Sequence, residues 1–154
     1  MRDEIVIDAK EIHKNGKVKF SDDLSPGFLD LKTTDELQCG KPVQVKGEAY
    51  VVDKSLILTI SVKTEVTLPC TICNSPVPVA LKLENLYHVE PISHIRDGMY
   101  RLNPFLREAI LLEAPAFAEC REGNCPERGE ISSYLVEEKE ADRYHPFENL
   151  KIQE

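Results

Sequence analysis

The chain has 154 residues, 42% hydrophobic and 30% charged, and its 27 acidic against 19 basic side chains leave a formal net charge of −8. One core at this length removes roughly 68–70% of the unfolded surface from water, so one soluble domain is expected and two full catalytic domains are excluded. The acidic balance argues against nonspecific nucleic-acid binding. That binding is driven by counterion release and needs a surplus of Lys and Arg.

In chain order, Ile5-Val6-Ile7 and Val18-Lys19-Phe20 flank Asn15-Gly16, a dipeptide that tolerates positive φ, and they predict a first hairpin. Residues 21–40 hold Asp22-Asp23, Ser25-Pro26-Gly27 and Thr33-Thr34-Asp35. This density of turn formers predicts an irregular connection with one short strand near Phe28-Leu29. From Val43 to Val51 the odd positions are Val43, Val45, Gly47, Ala49 and Val51, the period of a strand with one buried face. The even positions from Leu56 to Leu68 hold the same phase in a second long strand. A third alternation, Val77, Val79, Leu81, Leu83, Tyr87 and Val89, predicts an antiparallel partner and completes a β-meander.

A helix is predicted from Asn103-Pro104 to Glu113. Asn103 would serve as cap and Pro104 would occupy the first turn, where its missing N–H costs nothing. Phe105, Leu106, Ala109, Ile110 and Leu112 would face the sheet, with Arg107, Glu108 and Glu113 toward solvent. The expected fold is α+β, a twisted antiparallel sheet or partial barrel packed by one main helix. Residues 1–118 form the core in this reading. Residues 119–154, with ten acidic and five basic side chains, form a cysteine-bearing loop and an acidic C-terminal extension packed on it. Within that extension Glu127 to Asp142 is expected to be mobile or weakly helical, and Tyr144, His145, Pro146, Phe147 and Leu150 to dock back onto the body.

No apolar run approaches the ~18 residues that span a bilayer, and Met1-Arg2-Asp3-Glu4 lacks the apolar stretch of a signal peptide, so a cytoplasmic location is expected. Five cysteines, an odd number, then favour reduced thiols or metal ligation over disulfides. Cys70-Thr71-Ile72-Cys73-Asn74 has the shape of a metal knuckle, with Asn74 suited to the positive φ that follows the second cysteine. Cys120 and Cys125 form a second pair, and the four thiols could make one tetrahedral zinc site. The pairs are separated by far more than the ~15–20 residues of compact sites, so metal-free cysteines in a hairpin tip and a loop remain an open alternative. Thiol redox chemistry through Cys70 and Cys73 is a third reading, although such a motif usually sits at a helix N-terminus. Cys39 reads as a partly buried thiol.

His13, His88, His94 and His145 are scattered, and no Walker loop, dinucleotide fingerprint or zinc-protease motif is present. No catalytic constellation emerges. For RNA, Lys10, Lys14, Lys17 and Lys19 could grip phosphates around the first hairpin, or equally form the lysine-protected face of an edge strand. Arg96, Arg101 and Arg107 are a second possible contact set.

The order of these elements resembles the YceD family, bacterial proteins associated with accumulation of large-subunit ribosomal RNA, with relatives in plastids. The resemblance rests on Thr67-Leu68-Pro69-Cys70-Thr71-Ile72-Cys73, then Leu102-Asn103-Pro104-Phe105-Leu106-Arg107-Glu108-Ala109-Ile110-Leu111-Leu112, then Ala114-Pro115, Cys120, Cys125 and Pro126, and a closing Asp142-Arg143-Tyr144-His145-Pro146-Phe147-Glu148-Asn149-Leu150. It covers roughly residues 43–150. Many members carry Cys-Pro-x-Cys-Gly in the late loop, where this chain has Cys125-Pro126-Glu127-Arg128-Gly129. Arg128 therefore stands where a cysteine would fall, and a four-cysteine site depends on Cys120. The resemblance implies a non-enzymatic ribosome-biogenesis factor that acts on the large-subunit RNA precursor or on pre-ribosomal proteins. An acidic protein-interaction adaptor with a structural zinc knuckle and no direct RNA contact is the alternative from another class.

Overall fold

From Val43 to Leu83 the strands follow the alternation of the sequence. The computed structural model describes residues 1–134, with elements β1 (Val6–Asp8), α1 (Ala9–Asn15), β2 (Lys17–Leu24), β3 (Val43–Val52), β4 (Ser55–Pro69), β5 (Pro76–Pro91), β6 (Met99–Arg101) and α2 (Asn103–Glu113). β2-β3-β4-β5 form one antiparallel sheet, and β1-β6 a small second one. The fold is α+β. β2 and β5 lie at opposite ends of the strand order and do not pair, so the sheet stays open and does not close into a barrel.

Val43, Val45 and Ala49 of β3 and Leu56, Leu58, Ile60, Val62 and Val66 of β4 are buried on one face. Ile12 of α1 and Leu106 and Ile110 of α2 join the same core. Both helices therefore cover the inner face. Burial of side chains of this size contributes roughly 1.5–3 kcal/mol each, which is why the strand phase is held so strictly. Gly47 has a specific place in this face. A Cβ there would lie 2.5 Å from Phe20 Cζ and 2.9 Å from the Thr59 carbonyl oxygen. Gly47→Ala is therefore expected to destabilise the protein by about 1–3 kcal/mol through overpacking. Urea denaturation checks this, and an unchanged midpoint would mean that both the Phe20 ring and the Thr59 backbone give way freely.

Five expectations are corrected. The first hairpin does not form: β1 pairs with β6 through Val6↔Arg101 and Asp8↔Met99, and residues 9–15 are helical. The Asp8 carboxylate accepts from the Lys10 N–H at 2.9 Å and the Glu11 N–H at 3.3 Å, and so caps α1. Gly16, at φ 81°, closes the helix by donating to the Ile12 carbonyl at 2.7 Å. Asn15-Gly16 ends a helix here because Ala9 and Ile12 bury against the sheet, which a polar hairpin would have left uncovered.

The segment near Phe28-Leu29 is a 3-10 turn over Pro26–Leu29 with Leu29 fully buried. Asn103 does not cap α2. Its Oδ1 accepts from the Ile5 N–H at 3.1 Å and its Nδ2 donates to the Asp3 carbonyl at 2.7 Å, tying down the N-terminal segment. Leu112 is 78% exposed, so the apolar stripe of α2 is narrower than its composition suggests.

The third strand changes phase. Ile60 faces Leu86 while Val62 faces Leu83, so Glu84 and Asn85 together oppose Ser61 in a β-bulge, with Asn85 at φ 56°. One extra residue flips every later side chain. Leu86, His88 and Glu90 turn inward while Tyr87 and Val89 turn outward, the reverse of the expected phase. The proposed docking of Tyr144, His145, Pro146, Phe147 and Leu150 lies outside the described residues.

Candidate metal centre

Pro69 pairs with Pro76 across the β4–β5 hairpin, leaving Cys70–Ser75 as its loop. The Cys70 N–H donates to the Ser75 carbonyl at 2.8 Å and the Asn74 N–H to the Cys70 carbonyl at 2.9 Å. Asn74 takes φ 59°, as its position after the second cysteine predicts. The tight turn folds Cys73 back beside Cys70.

The late segment returns to this loop along a parallel bridge between Cys70 and Ala118, with the Thr71 N–H donating to the Ala118 carbonyl at 2.9 Å. Over Cys120–Gly123 the backbone makes a left-handed turn, Arg121 at φ 53°, Glu122 at φ 54° and Gly123 at φ 89°. Left-handed geometry at a residue with a Cβ costs roughly 1–2 kcal/mol. Contacts outside the turn must hold it.

The contacts are the sulfurs. The four Sγ atoms of Cys70, Cys73, Cys120 and Cys125 all lie within 4.8 Å of one another, and the Cys73 and Cys120 sulfurs are 3.7 Å apart. Zn–S bonds of about 2.3 Å in a tetrahedron require sulfur–sulfur edges of about 3.8 Å. The cluster can hold a metal ion. All five cysteines are free of disulfides, and Cys39 lies apart, its Sγ 3.6 Å from Thr64 Oγ1.

Electrostatics fits a cation at the centre. Backbone N–H groups of Cys73 and Cys120 bring Cys70 down to about 6, and the Cys120 N–H lies 3.4 Å from the Cys70 sulfur. Hydrogen bonding to Ser75 lowers Cys73. Cys120, crowded by Cys125, by burial and by the other two sulfurs, is pushed up to about 12, and burial raises Cys125. Four adjacent thiols cannot all ionise unaided, because each new thiolate meets the charge of the last. A divalent ion removes that conflict.

Arg128 has a partner that sequence reasoning missed. Its Nε and a terminal nitrogen donate to Glu119 at 3.0 and 2.7 Å, a fork-to-carboxylate pair, and Glu119 also accepts from the Cys125 N–H at 3.2 Å. Arg128 and the Cys125 N–H hold the Glu119 carboxyl below the usual range. The position that lacks a cysteine thus fastens the Cys125 loop by an ion pair.

The predicted RNA cations do not form one free patch. Lys17 and Lys19 on β2 both pair with Glu48, Arg101 with Glu4 at 3.0 Å, and the Arg107 Nε donates to the Leu29 carbonyl at 2.9 Å. Lys10 and Lys14 sit on α1, with the Lys10 stem against Gly98. Arg96 lines a separate cleft with His94 and Tyr100. His88 lies outside the cysteine cluster. It packs on Phe105 and Tyr100, with its Nε2 2.9 Å from the Tyr100 hydroxyl, and burial, with the Glu90 charge, pushes Tyr100 up to about 12.

Among known proteins the chain is similar to the uncharacterized protein YlbN of Bacillus subtilis (strain 168), 25% identical over an alignment covering 88% of each chain. No family model matches it, and no solved structure matches it. No described helix is long and apolar enough to cross a membrane.

Proposed function

We propose that Cys70, Cys73, Cys120 and Cys125 hold one structural zinc ion in a non-enzymatic factor that promotes accumulation or processing of large-subunit ribosomal RNA, by binding that RNA or a pre-ribosomal particle. The observation that carries the reading is the meeting of the two cysteine segments, 47 residues apart at Cys73 and Cys120. These are two of the segments on which the resemblance to the YceD family rests. Four protein thiolates leave zinc no open position for water or substrate, the arrangement of a structural site and not a catalytic one. The best-placed histidine, His88, is engaged by Tyr100 and Glu90 and activates no nucleophile among the described residues.

Depletion of the protein from growing cells is expected to lower the ratio of large- to small-subunit ribosomal RNA and to raise unprocessed large-subunit precursor, read by RNA sequencing. An unchanged ratio after the protein has fallen below detection would overturn this function. Metal analysis of the purified chain separately tests the ion. Zinc at one per chain is expected, and visible absorption from bound iron would reassign it.

A further inference from the structure

The helices cover only the inner face of the large sheet. On the outer face the strand register sets Lys17, Tyr50, Ile57 and Val89 in one row across the sheet, and Lys19, Glu48, Thr59 and Tyr87 in the next. Tyr87, on the edge strand β5, is 62% exposed, a large ring held open to solvent. Below these rows the outer face continues with Lys46, Lys63 and Lys82.

The chemistry of this face differs from that of the whole chain. Its alternation presents five lysines (17, 19, 46, 63, 82) against four acids (Asp23, Glu48, Glu65, Glu84), whereas the whole chain is strongly acidic, at −8. Glu48, Glu65 and Glu84 each already bond a lysine. Lys46 and Lys63 make no ion pair among the described residues. Between the strands lies an open depression of about 560 Å³, whose lining includes Lys19, Lys46, Glu48, Thr59, Ser61 and Asn85, the Glu48 carboxylate being paired with Lys17 and Lys19. The β-bulge that places Asn85 at its rim is also what turns Tyr87 outward.

We propose that this outer face binds a single-stranded segment of RNA, with one base stacked on Tyr87, its neighbour's polar edge in the hydroxyl- and amide-lined depression, and phosphates on Lys46 and Lys63. The inference rests on the RNA-directed reading above and names the surface and the form of RNA. An exposed ring on the same face as unpaired lysines is the arrangement that grips single strands, because every base has a stacking face. A shallow sheet cannot enter the deep major groove of duplex RNA, so paired RNA is a poor occupant. A protein partner is a weaker fit, since lysines interrupt the apolar residues and lysine is depleted from protein interfaces.

The test titrates the full-length protein into short fluorescein-labelled oligouridylate, oligoadenylate and an RNA duplex, followed by anisotropy at several salt concentrations. Single strands should bind and the duplex should bind more weakly. Tyr87→Ala should weaken single-strand binding by about 5- to 150-fold, and Tyr87→Phe, which keeps the ring, should stay within about twofold of the parent. The paired change Lys46→Glu with Lys63→Glu should lower the slope of log affinity on log salt by about 0.7 per lost phosphate contact. Because all three residues lie on the surface, unchanged melting temperatures certify the variants.

Wild-type binding that none of these changes alters would overturn the proposed face while leaving the RNA reading intact. No binding of any RNA, with co-sedimentation on pre-ribosomal particles, would overturn the face and favour protein contacts. Neither binding nor co-sedimentation would remove both readings.

Discussion

Exchange of Cys125 for serine is expected to abolish zinc retention and to free the late loop while the four-stranded sheet stays folded. The sheet core is built from Leu56, Leu58, Ile60, Val62 and their neighbours, none of which depends on the cysteines. What depends on them is the left-handed turn at Arg121 and Glu122, which has no apolar core of its own. The melting temperature should fall by about 6–20 °C, the range for loss of a structural metal in a domain of this size. Far-UV circular dichroism at room temperature should change little, and hydrogen exchange should rise at residues 118–134. A global collapse of the sheet would contradict this division.

The pH dependence separates the metal-free from the metal-bound chain. In the metal-free protein Cys70 ionises at about 6 when folded and near its ordinary value of 9.0 when unfolded. A lowered folded value adds stability that is fully present above pH 9 and lost as the pH falls toward 6. Cys120 has the opposite sign. Its folded value of about 12 lies above the ordinary 9.0, so its contribution is present below pH 9 and lost as the pH rises toward 12. Metal-free protein should therefore be most stable near pH 9, and Cys120→Ser should flatten the alkaline fall. With zinc bound all four sulfurs are thiolates, so the cysteine part of the alkaline fall should vanish, leaving only that of Tyr100, whose raised value costs stability above pH 10, and zinc should be released as acid protonates the ligands. Urea midpoints across the pH range, with and without chelator, distinguish the two curves.

How much of this was legible in the sequence follows from the range of each signal. The phases of β3 and β4 could be read because each strand buries one face along its whole length, and the α2 boundaries because proline and the apolar spacing agree. The knuckle turn was legible at Asn74, a residue suited to positive φ. The helix at Ala9–Asn15 was not. Seven residues give too few turns for a period, and Asn15-Gly16 suits a hairpin turn and a helix end equally. The pairing of β1 with β6 joins residues more than 90 positions apart, which no local pattern encodes. Arg128 looked like the loss of a ligand because its partner Glu119, nine residues away, carries no motif. The lysines were found by their density in the sequence, but the number that are free depends on register, since Lys17 and Lys19 meet Glu48 only once β2 lies beside β3.

Deletion of Asn85 alone is expected to be among the most damaging single changes to the sheet. Glu84 and Asn85 share the place opposite Ser61, and removal of one restores a regular ladder at the cost of reversing the faces of everything after it. Leu86 and His88 would turn to solvent, and His88 would lose its packing on Tyr100 and Phe105. Tyr87 and Val89 would be driven against α2, with the Tyr87 hydroxyl carried into an apolar layer. The combined loss of packing and burial of a polar group should destabilise the protein by about 3–5 kcal/mol, lowering the melting temperature by roughly 6–20 °C. Asn85→Gly keeps the extra residue and supplies positive φ without strain, so it should retain stability to within about 0.5 kcal/mol. The contrast identifies the bulge, and not the amide side chain, as the feature that the fold requires. Single-strand binding should follow the same division, lost in the deletion because Tyr87 leaves the outer face, and retained in Asn85→Gly apart from whatever the side-chain amide adds. Equal stability of the deletion and the parent would show that β5 accepts either phase, and the outward position of Tyr87 would then lose its structural basis.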